Sequence, residues 1–459
     1  MSNAKLAFST RCNSFSEQIL HSQLRKEGEI MKKNKFWAAV SRTLALAAVA
    51  LIVIVMLAPR ASAQGTEKLL YSFTGGQDGQ TPQEGVIFDQ SGNLYGATMN
   101  GGDEKCYYGG IAGCGVVFQL TPNADGTWTE NVLHSFTGRK DGAGPNWGSL
   151  VFGAANNLYG ATNQGGSHND GTIFELSPNS DGSWTESVLH QFTGRRDGAH
   201  PMTTPIFDTA GNLYGTAVGA GVYGCGMVFE MTPGSNNRWT YQAIHQFKGT
   251  PGCYPRTGLV PDTAGAYYGT TRNEGQYCGK NSRQCGIVYQ LTPASGGKWT
   301  FKAIHVFSGG NGGADPATMN VVVDGNGNLY GTTWAGGGFY GYGLVYELSP
   351  GAGGKWTYKV LYQFTGSDDG GHSASTMIFD AAGNLYGTTW SGGAYGDGVM
   401  FKMTPNQNGT WTESVVYSFG GSDGANPGAA LISDSAGNIY GTTGAGGVYG
   451  AGTVYEITP

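Results

Sequence analysis

The chain has 459 residues, of which 80 are glycine, 13% are charged and 12% are aromatic. So little charge argues against a disordered polyelectrolyte, and so many aromatic residues argue against a flexible linker. Residues 64–459 hold 17 of the 26 basic and 29 of the 32 acidic residues, a net charge of −12. An acidic body of this kind argues against nucleic acid or an anionic membrane as a partner.

The segment that begins at Met31 is typical of a secretory signal peptide. Lysines stand at positions 32, 33 and 35, residues 44–58 form an uninterrupted apolar run, and Ala61-Ser62-Ala63 has the small-residue pattern of a cleavage site. The apolar run is shorter than the roughly 20 residues that a membrane span needs. We therefore expect cleavage after Ala63 and no membrane span in the mature form. We interpret residues 1–30 as an over-extended start, with Met31 as the true initiator.

A short frame, GNLYG or a close variant of it, recurs seven times with a mean spacing of about 57 residues. The tyrosines of the seven frames are Tyr95, Tyr159, Tyr214, Tyr268, Tyr330, Tyr386 and Tyr440. A fixed period of this size is typical of a repeat architecture.

Each repeat contains four strand-like runs that are rich in β-branched and aromatic residues. Examples of the four are GSLVFG at 148–153, NLYGTT at 328–333, GVVFQLTP at 115–122 and WTENVLHSF at 128–136. Short turns join the first run to the second and the third to the fourth, whereas the other connections are long and Gly-rich. The pattern predicts an all-β, seven-bladed β-propeller of four-stranded antiparallel blades, with short turns on one face and long loops on the other.

The two ends of the repeat array complement each other. The last repeat stops after its third run, at Pro459, and the segment GTEKLLYSF at 65–73 aligns with the fourth run of the other repeats. We predict that residues 65–73 complete the last blade and that residues 64–459 form a single domain. A closing strand from the C-terminus is the alternative.

The repeat GNLYGTT…GGxxGxGxVFxLTP…GxWTxxVLHSFTGxxDGxxP resembles the tandem repeat of GloVer-containing, choice-of-anchor bacterial surface proteins over residues 65–459. The resemblance implies an exported protein without an assigned activity. Members often carry a C-terminal sorting segment, and this chain ends with its last repeat. We therefore expect a secreted or periplasmic protein, with the cell surface as a further location. The blade order DxxGNIY is also similar to that of NHL-type propellers.

Cysteines follow the cleavage site six times, and an exported chain permits disulfides. We predict three pairs, Cys106 with Cys114, Cys225 with Cys253, and Cys278 with Cys285. The first and third pairs each flank the same long loop of their repeats, and the second joins consecutive long loops on one face. A metal site is the alternative, although the spacings do not form a CxxC pattern.

Histidines and aspartates recur at fixed positions of the repeat. His134, His190, His245 and His305 occupy one position of the fourth run, where other repeats have tyrosine. This interchange predicts packing and hydrogen bonding rather than catalysis. The aspartates that open the long loop after the fourth run are Asp78, Asp141, Asp197, Asp369 and Asp423. We interpret them as loop caps and predict no cofactor and no metal site, with Ca²⁺ as the minority alternative.

The residue that follows NLYGTT, which we call the frame-end residue, varies from repeat to repeat. The seven are Met99, Asn163, Val218, Arg272, Trp334, Trp390 and Gly444. We expect them on the long-loop face, where the second strand leaves the packing between blades. Our candidate ligand-binding residues are Trp147, Arg272, Trp334 and Trp390. Aromatic platforms with little charge around them suit sugar rings or apolar ligands; the alternative is that the tryptophans only fill the channel mouth.

These patterns favour an exported, noncatalytic binding or interaction propeller, with a glycan or a cell-envelope component as partner and a monomer as the expected state. One alternative is an extracellular hydrolase or lyase with its site on the long-loop face, and another is a structural envelope protein. No nucleophile elbow, metal motif or phosphate loop occurs in the sequence, so the sequence favours a protein without enzymatic activity.

Overall fold

The computed structural model describes Arg25, residues 31–33 and residues 65–459, except for 146–147, 236–237, 274–284, 317–319 and 338–340. The chain divides into a unit of residues 1–61 and a unit of residues 62–459. The apolar run and the cleavage site of the predicted signal peptide lie outside the described residues. Within the described residues, no helix has the length and apolar character that crossing a membrane requires.

The second unit confirms the predicted seven-bladed β-propeller, with four antiparallel strands in each blade. We number the blades 1 to 7 in the order of their frames. The first strands are Ile87–Phe88, Val151–Phe152, Ile206–Phe207, Val260–Pro261, Val322–Val323, Ile378–Phe379 and Ile432–Ser433. The second strands are Leu94–Thr98, Leu158–Thr162, Leu213–Gly219, Tyr267–Thr271, Leu329–Thr333, Leu385–Ser391 and Ile439–Ala445.

The outer half of each blade consists of its third and fourth strands. The third strands are Val116–Pro122, Thr172–Pro178, Met227–Pro233, Ile287–Ala294, Leu344–Pro350, Val399–Pro405 and Thr453–Thr458. The fourth strands of blades 1 to 6 are Trp128–Ser135, Trp184–Gln191, Trp239–Gln246, Lys298–Val306, Trp356–Gln363 and Trp411–Ser418. Blades 3, 6 and 7 also have a short strand before the first, at Ala199–Pro201, Gly371–Ser373 and Ala425–Pro427.

A few short elements lie in the connections. The long loop of blade 1 contains a small hairpin of Tyr107–Tyr108 and Ile111–Ala112, and 3-10 turns occur at Ala154–Asn156, Gly310–Gly312 and Ala352–Gly354.

The N-terminal strand closes the ring. Thr66–Ser72 pairs antiparallel with Thr453–Thr458 and becomes the fourth strand of blade 7. The Gly65 N–H also donates to the carbonyl oxygen of Val416 in the preceding blade, at 2.7 Å. Closure from the N-terminus is therefore confirmed, and the alternative of a C-terminal closing strand is wrong. Pairing the two ends removes the open sheet edge that an incomplete last blade would expose.

The first strands lie innermost, where neighbouring blades meet around the axis. The Ser149 N–H of blade 2 donates to Thr204 Oγ1 of blade 3 at 2.6 Å. A Cβ built on Gly85 of blade 1 would lie 2.5 Å from Ser149 Oγ and 2.9 Å from the Cβ of Ala430 in blade 7. Blade 1 thus contacts both of its neighbours at this point, and only a residue without a side chain fits between them.

The repeated frame packs each blade against the next. Tyr95 donates from its hydroxyl to the carboxylate of Asp89 at 3.1 Å, and its ring meets Phe152 and Trp184 of blade 2 edge-to-face at 5.3 and 6.2 Å. Edge-to-face contacts to the following blade recur at Tyr159, Tyr214, Tyr268, Tyr330 and Tyr440. The frame is repeated because each of these blade boundaries uses the same contact.

The last glycine of the frame lies against an aromatic residue of the third strand. A Cβ built on Gly331 would lie 2.4 Å from the hydroxyl oxygen of Tyr346, whose side chain is fully buried. The six equivalent glycines have an aromatic side-chain atom at 2.4–2.6 Å from a Cβ built in the same way. A larger residue at this position would separate the second strand from the core.

Candidate functional site

Around the mouth of the propeller on the long-loop face, every blade contributes one residue with left-handed backbone geometry. The seven, which we call the left-handed ring, are Thr81, Gly144, His200, Tyr254, Asp315, His372 and Asn426. Their φ angles lie between 56° and 61°, although six of them are not glycine. This conformation costs about 1–2 kcal/mol for a residue with a Cβ. The surrounding structure must therefore hold each of these residues in place.

Backbone hydrogen bonds tie the left-handed ring to the frame-end residues. The Trp334 N–H donates to the carbonyl oxygen of Asp315 in its own blade, at 3.0 Å. The left-handed residue in turn donates its N–H to a loop of the preceding blade, as His372 does to the Tyr342 carbonyl at 2.7 Å. A left-handed residue such as His372 thus links two blades and lies beside a frame-end residue.

Side chains of the left-handed ring also reach back to the frame-end residue of the preceding blade. Three such bonds, each 2.9 Å long, join His200 Nδ1 to the Asn163 carbonyl, His372 Nδ1 to the Trp334 carbonyl, and Asn426 Nδ2 to the Trp390 carbonyl. A carbonyl oxygen only accepts hydrogen bonds, so the Nδ1 of both histidines carries the proton. This fixes the tautomer and the ring orientation of His372.

Blades 5 and 6 form an aromatic cluster at the mouth. The ring of Trp334 stacks on that of His372, with centroids 4.9 Å apart and planes 24° apart, and lies 6.0 Å from the ring of Trp390. Tyr342 approaches His372 edge-on at 5.4 Å. Trp334, His372 and Trp390 are each half-buried, so part of each ring faces solvent. The structure thus brings together the two tryptophans that the sequence selected.

The boundary between blades 4 and 5 carries charge. Arg272 donates from Nε to Asp315 Oδ2 at 3.1 Å, and the side chain of Asp315 is only 7% exposed. A second guanidinium, that of Arg256, interacts electrostatically with both groups. Burial raises the pKa of Asp315 even though both arginines lower it. Arg272 thus lies one blade before Trp334, at the same position of the repeat.

Comparison with known proteins identifies the family to which the repeat belongs. The Gloeobacter/Verrucomicrobia repeat matches residues 57–280, 104–339 and 277–459. The chain belongs to the Gloeobacter/Verrucomicrobia repeat family. The resemblance to GloVer repeat proteins that the sequence motifs indicated is thereby confirmed. No curated protein matches this chain.

Two solved structures are distantly similar to this member of the Gloeobacter/Verrucomicrobia repeat family. One is a protein of unknown function from Dyadobacter fermentans, at 11% identity and a TM-score of 0.44, with 86% of this chain and 97% of that chain covered. The other, from Thermus thermophilus, is named as a putative oxidoreductase (glucose dehydrogenase), at 12% identity and a TM-score of 0.39, with 86% and 100% covered. Similarity at this level carries no conclusion about function.

Disulfides support the long-loop face of this family member. The structure contains two of the predicted pairs, Cys106–Cys114 and Cys225–Cys253, with Cα atoms 5.6 and 4.6 Å apart. The second pair joins blades 3 and 4 and directly precedes Tyr254 of the left-handed ring. Cys278 lies outside the described residues, so its pairing with Cys285 stays a prediction. The two disulfides fit an oxidising compartment outside the cytoplasm.

The recurring histidines pack between blades of the propeller. His190 stacks on Tyr241, His245 on Phe301 and His305 on Tyr358, each in the next blade and at 4.0–4.3 Å between centroids. Burial lowers the pKa of His245 and of His305 to about 4. These rings are therefore neutral packing groups at neutral pH, as the sequence pattern predicted.

The loop aspartates cap the turns that they open. Asp141 accepts hydrogen bonds from the Thr137 N–H and hydroxyl, both at 2.7 Å. Burial raises the pKa of Asp141, but the nearby imidazole of His134 and these bonds outweigh it and hold the pKa at about 2. In the described part of the chain, no group of three or more His, Cys, Asp or Glu side chains is placed to hold a metal ion.

The sequence alone identified only part of this mouth. It selected Trp334, Trp390 and Arg272, but not Asp315, His372 or Arg256. Trp147, the fourth candidate, lies outside the described residues, so its place at the mouth stays a prediction. The sequence did contain a signal for Asp315 and His372. The residue before the proline or serine at the end of each long loop varies between repeats as much as the frame-end residue does.

Proposed function

We propose that this protein is an exported, noncatalytic binding module that holds a carbohydrate at the mouth of the propeller on its long-loop face. The observation that carries the proposal is the cluster of Trp334, His372 and Trp390. The rings of His372 and Trp390, half-buried like that of Trp334, have centroids 4.9 and 6.0 Å from it. The apolar face of a sugar ring packs well on such aromatic surfaces, and its hydroxyl groups require polar partners at the rim.

The neighbourhood of the cluster supplies such polar groups on fixed scaffolds. His372 holds its Nδ1 proton on the Trp334 carbonyl oxygen, so Nε2 is the ring nitrogen that remains for a ligand. Beside Trp390, Asn426 donates from Nδ2 to the Trp390 carbonyl oxygen at 2.9 Å, which fixes its amide group at the rim. Because the left-handed ring and the disulfides hold the loops, little conformational entropy is lost on binding, which favours affinity.

Export is the second part of the proposal. The segment from Met31 to Ala63 has the three regions of a signal peptide, and the two disulfides fit an oxidising compartment. We propose cleavage after Ala63 and release into the periplasm or the medium. Peptide mass spectrometry of the exported protein tests this: a mature N-terminus at Gln64 supports it, and one upstream of Met31 contradicts it.

A glycan array with the mature chain tests carbohydrate binding. We expect the wild type to bind at least one glycan class and the Trp334→Ala, Trp390→Ala double variant to lose at least about 10-fold in affinity, because stacked rings contribute more than 1 kcal/mol. Trp334→Phe keeps a ring and should retain part of the affinity. Tyr449→Ala is the matched control, since Tyr449 is 63% exposed on a long loop of blade 7 and outside the cluster.

The outcomes separate the three candidate functions. Equal binding by the wild type and the double variant, with unchanged thermal unfolding, would exclude the aromatic cluster as the site. Release of shortened sugars during incubation would favour the hydrolase or lyase alternative. Retention on isolated cell walls without binding to any soluble glycan would favour a structural envelope protein.

A further inference from the structure

Two guanidinium groups at the mouth lie in the electrostatic field of a single carboxylate, that of Asp315. Arg272 is paired with Asp315 through its Nε, and its side chain is 30% exposed. Arg256 lies two residues after Tyr254 of the left-handed ring and interacts electrostatically with Arg272 and Asp315. With Asp315 ionised, the group carries one net positive charge inside a protein body whose net charge is −12.

One nitrogen of the second arginine, Arg256, lacks a hydrogen-bond acceptor. The Nε of Arg256 is buried and has no hydrogen-bond partner among the described residues. A buried donor left without a partner destabilises the folded protein, and a charged donor does so more strongly. Burial and the repulsion from Arg272 lower the pKa of Arg256, although Asp315 opposes them. A bound anion would offset the repulsion between the two guanidinium groups.

The basic group and the aromatic cluster are contiguous. Asp315 binds Arg272 with its carboxylate and accepts the Trp334 N–H with its carbonyl oxygen at 3.0 Å. One residue of the left-handed ring therefore positions an arginine on one side and a tryptophan on the other. A ligand whose ring lies on Trp334 would have the arginines beside it.

We propose that the mouth selects a glycan with an acidic sugar, whose carboxylate binds Arg256 and Arg272 while the sugar chain stacks on Trp334 and Trp390. This inference rests on the proposed carbohydrate-binding function and specifies its ligand class. A guanidinium presents two parallel N–H donors that match the two oxygens of a carboxylate. The negative body of the protein disfavours a densely charged polyanion, so the favoured ligand is a mainly neutral glycan with isolated acidic residues.

Calorimetric titration of the mature chain with cellobiose, cellobiouronic acid and cellobiose 6′-sulfate tests this ligand class. The first two ligands differ by one carboxylate. We expect the wild type to prefer cellobiouronic acid over cellobiose by about 10-fold or more, because a charge-assisted hydrogen bond contributes about 1.5–3 kcal/mol. Arg256→Gln should reduce this preference to less than about 3-fold without lowering affinity for cellobiose. This variant leaves the Arg272–Asp315 pair intact, and thermal unfolding checks that it folds.

Arg272→Lys is the second variant. It keeps the charge next to Asp315 but removes the planar donor pair, so we expect part of the preference to be lost while the protein stays folded. Equal affinity of the wild type for cellobiose and cellobiouronic acid would overturn the acidic-sugar proposal and leave carbohydrate binding standing. A preference that survives Arg256→Gln would overturn the assignment to this pair, and tighter binding of the sulfate would reassign the anion. Binding of none of the three sugars would overturn the acidic-sugar proposal, and carbohydrate binding itself would be contradicted only if the glycan array is negative as well.

Discussion

Arg272 and Asp315 form an ion pair across the boundary between blades 4 and 5, with 3.1 Å between Nε and Oδ2. Asp315 is buried, and it is one of the six non-glycine residues of the left-handed ring. The pair therefore ties a strained loop to the end of a neighbouring second strand. The residues of the proposed ligand surface therefore also hold two blades together.

Removing the carboxylate of this pair should destabilise the propeller. We expect Asp315→Asn to lower the free energy of unfolding by about 1–3 kcal/mol, because two arginine charges then remain without their counter-charge. Chemical denaturation of the mature chain measures this change. Asp368→Asn, at an exposed loop position, is the matched control and should change it by less than about 0.5 kcal/mol. An equally small effect of Asp315→Asn would show that the pair adds nothing to stability.

Four glutamates at blade boundaries predict a pH dependence of stability. Glu67, Glu130, Glu186 and Glu413 occupy one position of the fourth strand, and each has a buried Oε1 without a partner among the described residues. Burial first, and then the loop aspartate of the preceding blade, raise their pKa values to about 7; at Glu186 the charge of His134 opposes this rise. Above that pH, each of these boundaries holds the negative charge of the glutamate beside that of the loop aspartate.

The direction of this pH dependence follows from the number of protons that the folded and the unfolded chain bind. A folded pKa of about 7 lies above the ordinary value of 4.5, so the folded protein keeps protons that the unfolded chain releases. The stability from these glutamates is complete below about pH 4.5 and is lost as the pH rises to about 7. His245 and His305 act in the opposite sense between about pH 4 and 6.5, because their folded pKa values are lowered. The wild-type curve is therefore a sum of opposing contributions.

A neutral replacement isolates the glutamate effect. Glu413→Gln should match the wild type in Tm near pH 4.5 and exceed it by a few degrees at pH 8–9, since removing one screened repulsion is worth on the order of 1 kcal/mol. Thermal unfolding at a fixed scan rate across this range measures the difference. Glu104→Gln, in an exposed loop, is the control and should give a difference that does not vary with pH. If the Tm difference between Glu413→Gln and the wild type is equally independent of pH, the Glu413 carboxyl is not buried in its protonated form.

The frame glycine should be intolerant of even one methyl group. Gly331→Ala places a Cβ about 2.4 Å from the Tyr346 hydroxyl oxygen in a fully packed boundary, and we expect a loss of about 1–3 kcal/mol in unfolding free energy. Gly325→Ala lies in the turn of the same blade, with no atom within 4 Å of a built Cβ. It should change stability by less than about 0.5 kcal/mol. Similar values for the two variants would contradict the packing explanation of the repeat.

Ring closure by the N-terminal strand can be tested by moving that strand. Deletion of residues 65–73 should lower Tm strongly, because it exposes the edge of Thr453–Thr458 and removes the buried side chains of Leu70 and Phe73. A circular permutant that carries residues 65–73 after Pro459 should restore Tm, since the same strand then reaches the same edge. Unchanged unfolding of the deletion variant would mean that closure contributes nothing.

The fold was predictable because the same sequence pattern for strands, turns and blade packing occurs in all seven repeats. The frame, its turn and the alternating loop lengths indicated blades, faces and the closing strand from sequence alone. Which strand lies innermost was not predictable, since the first strands have only two residues each and their contacts join residues about 55 positions apart. Those contacts exist only once the ring is closed.

The site was only partly predictable for a related reason. Trp334 and Trp390 stood out because they follow a repeated frame. Asp315 and His372 lie in Gly-rich loops at a position whose residue type varies between repeats. Their importance comes from a left-handed backbone and from hydrogen bonds to neighbouring blades and frame-end residues. Arg256 is notable only through an unsatisfied buried Nε, and no sequence pattern shows a missing partner.

The most direct test of the proposed binding site is an experimental structure of the mature chain with cellobiouronic acid bound. The sugar is predicted to lie on Trp334 and Trp390, with its carboxylate within hydrogen-bond distance of Arg256 and Arg272. A sugar bound away from the mouth of the long-loop face, or a mouth that stays free of ligand at saturating concentration, would contradict this account of how the propeller functions.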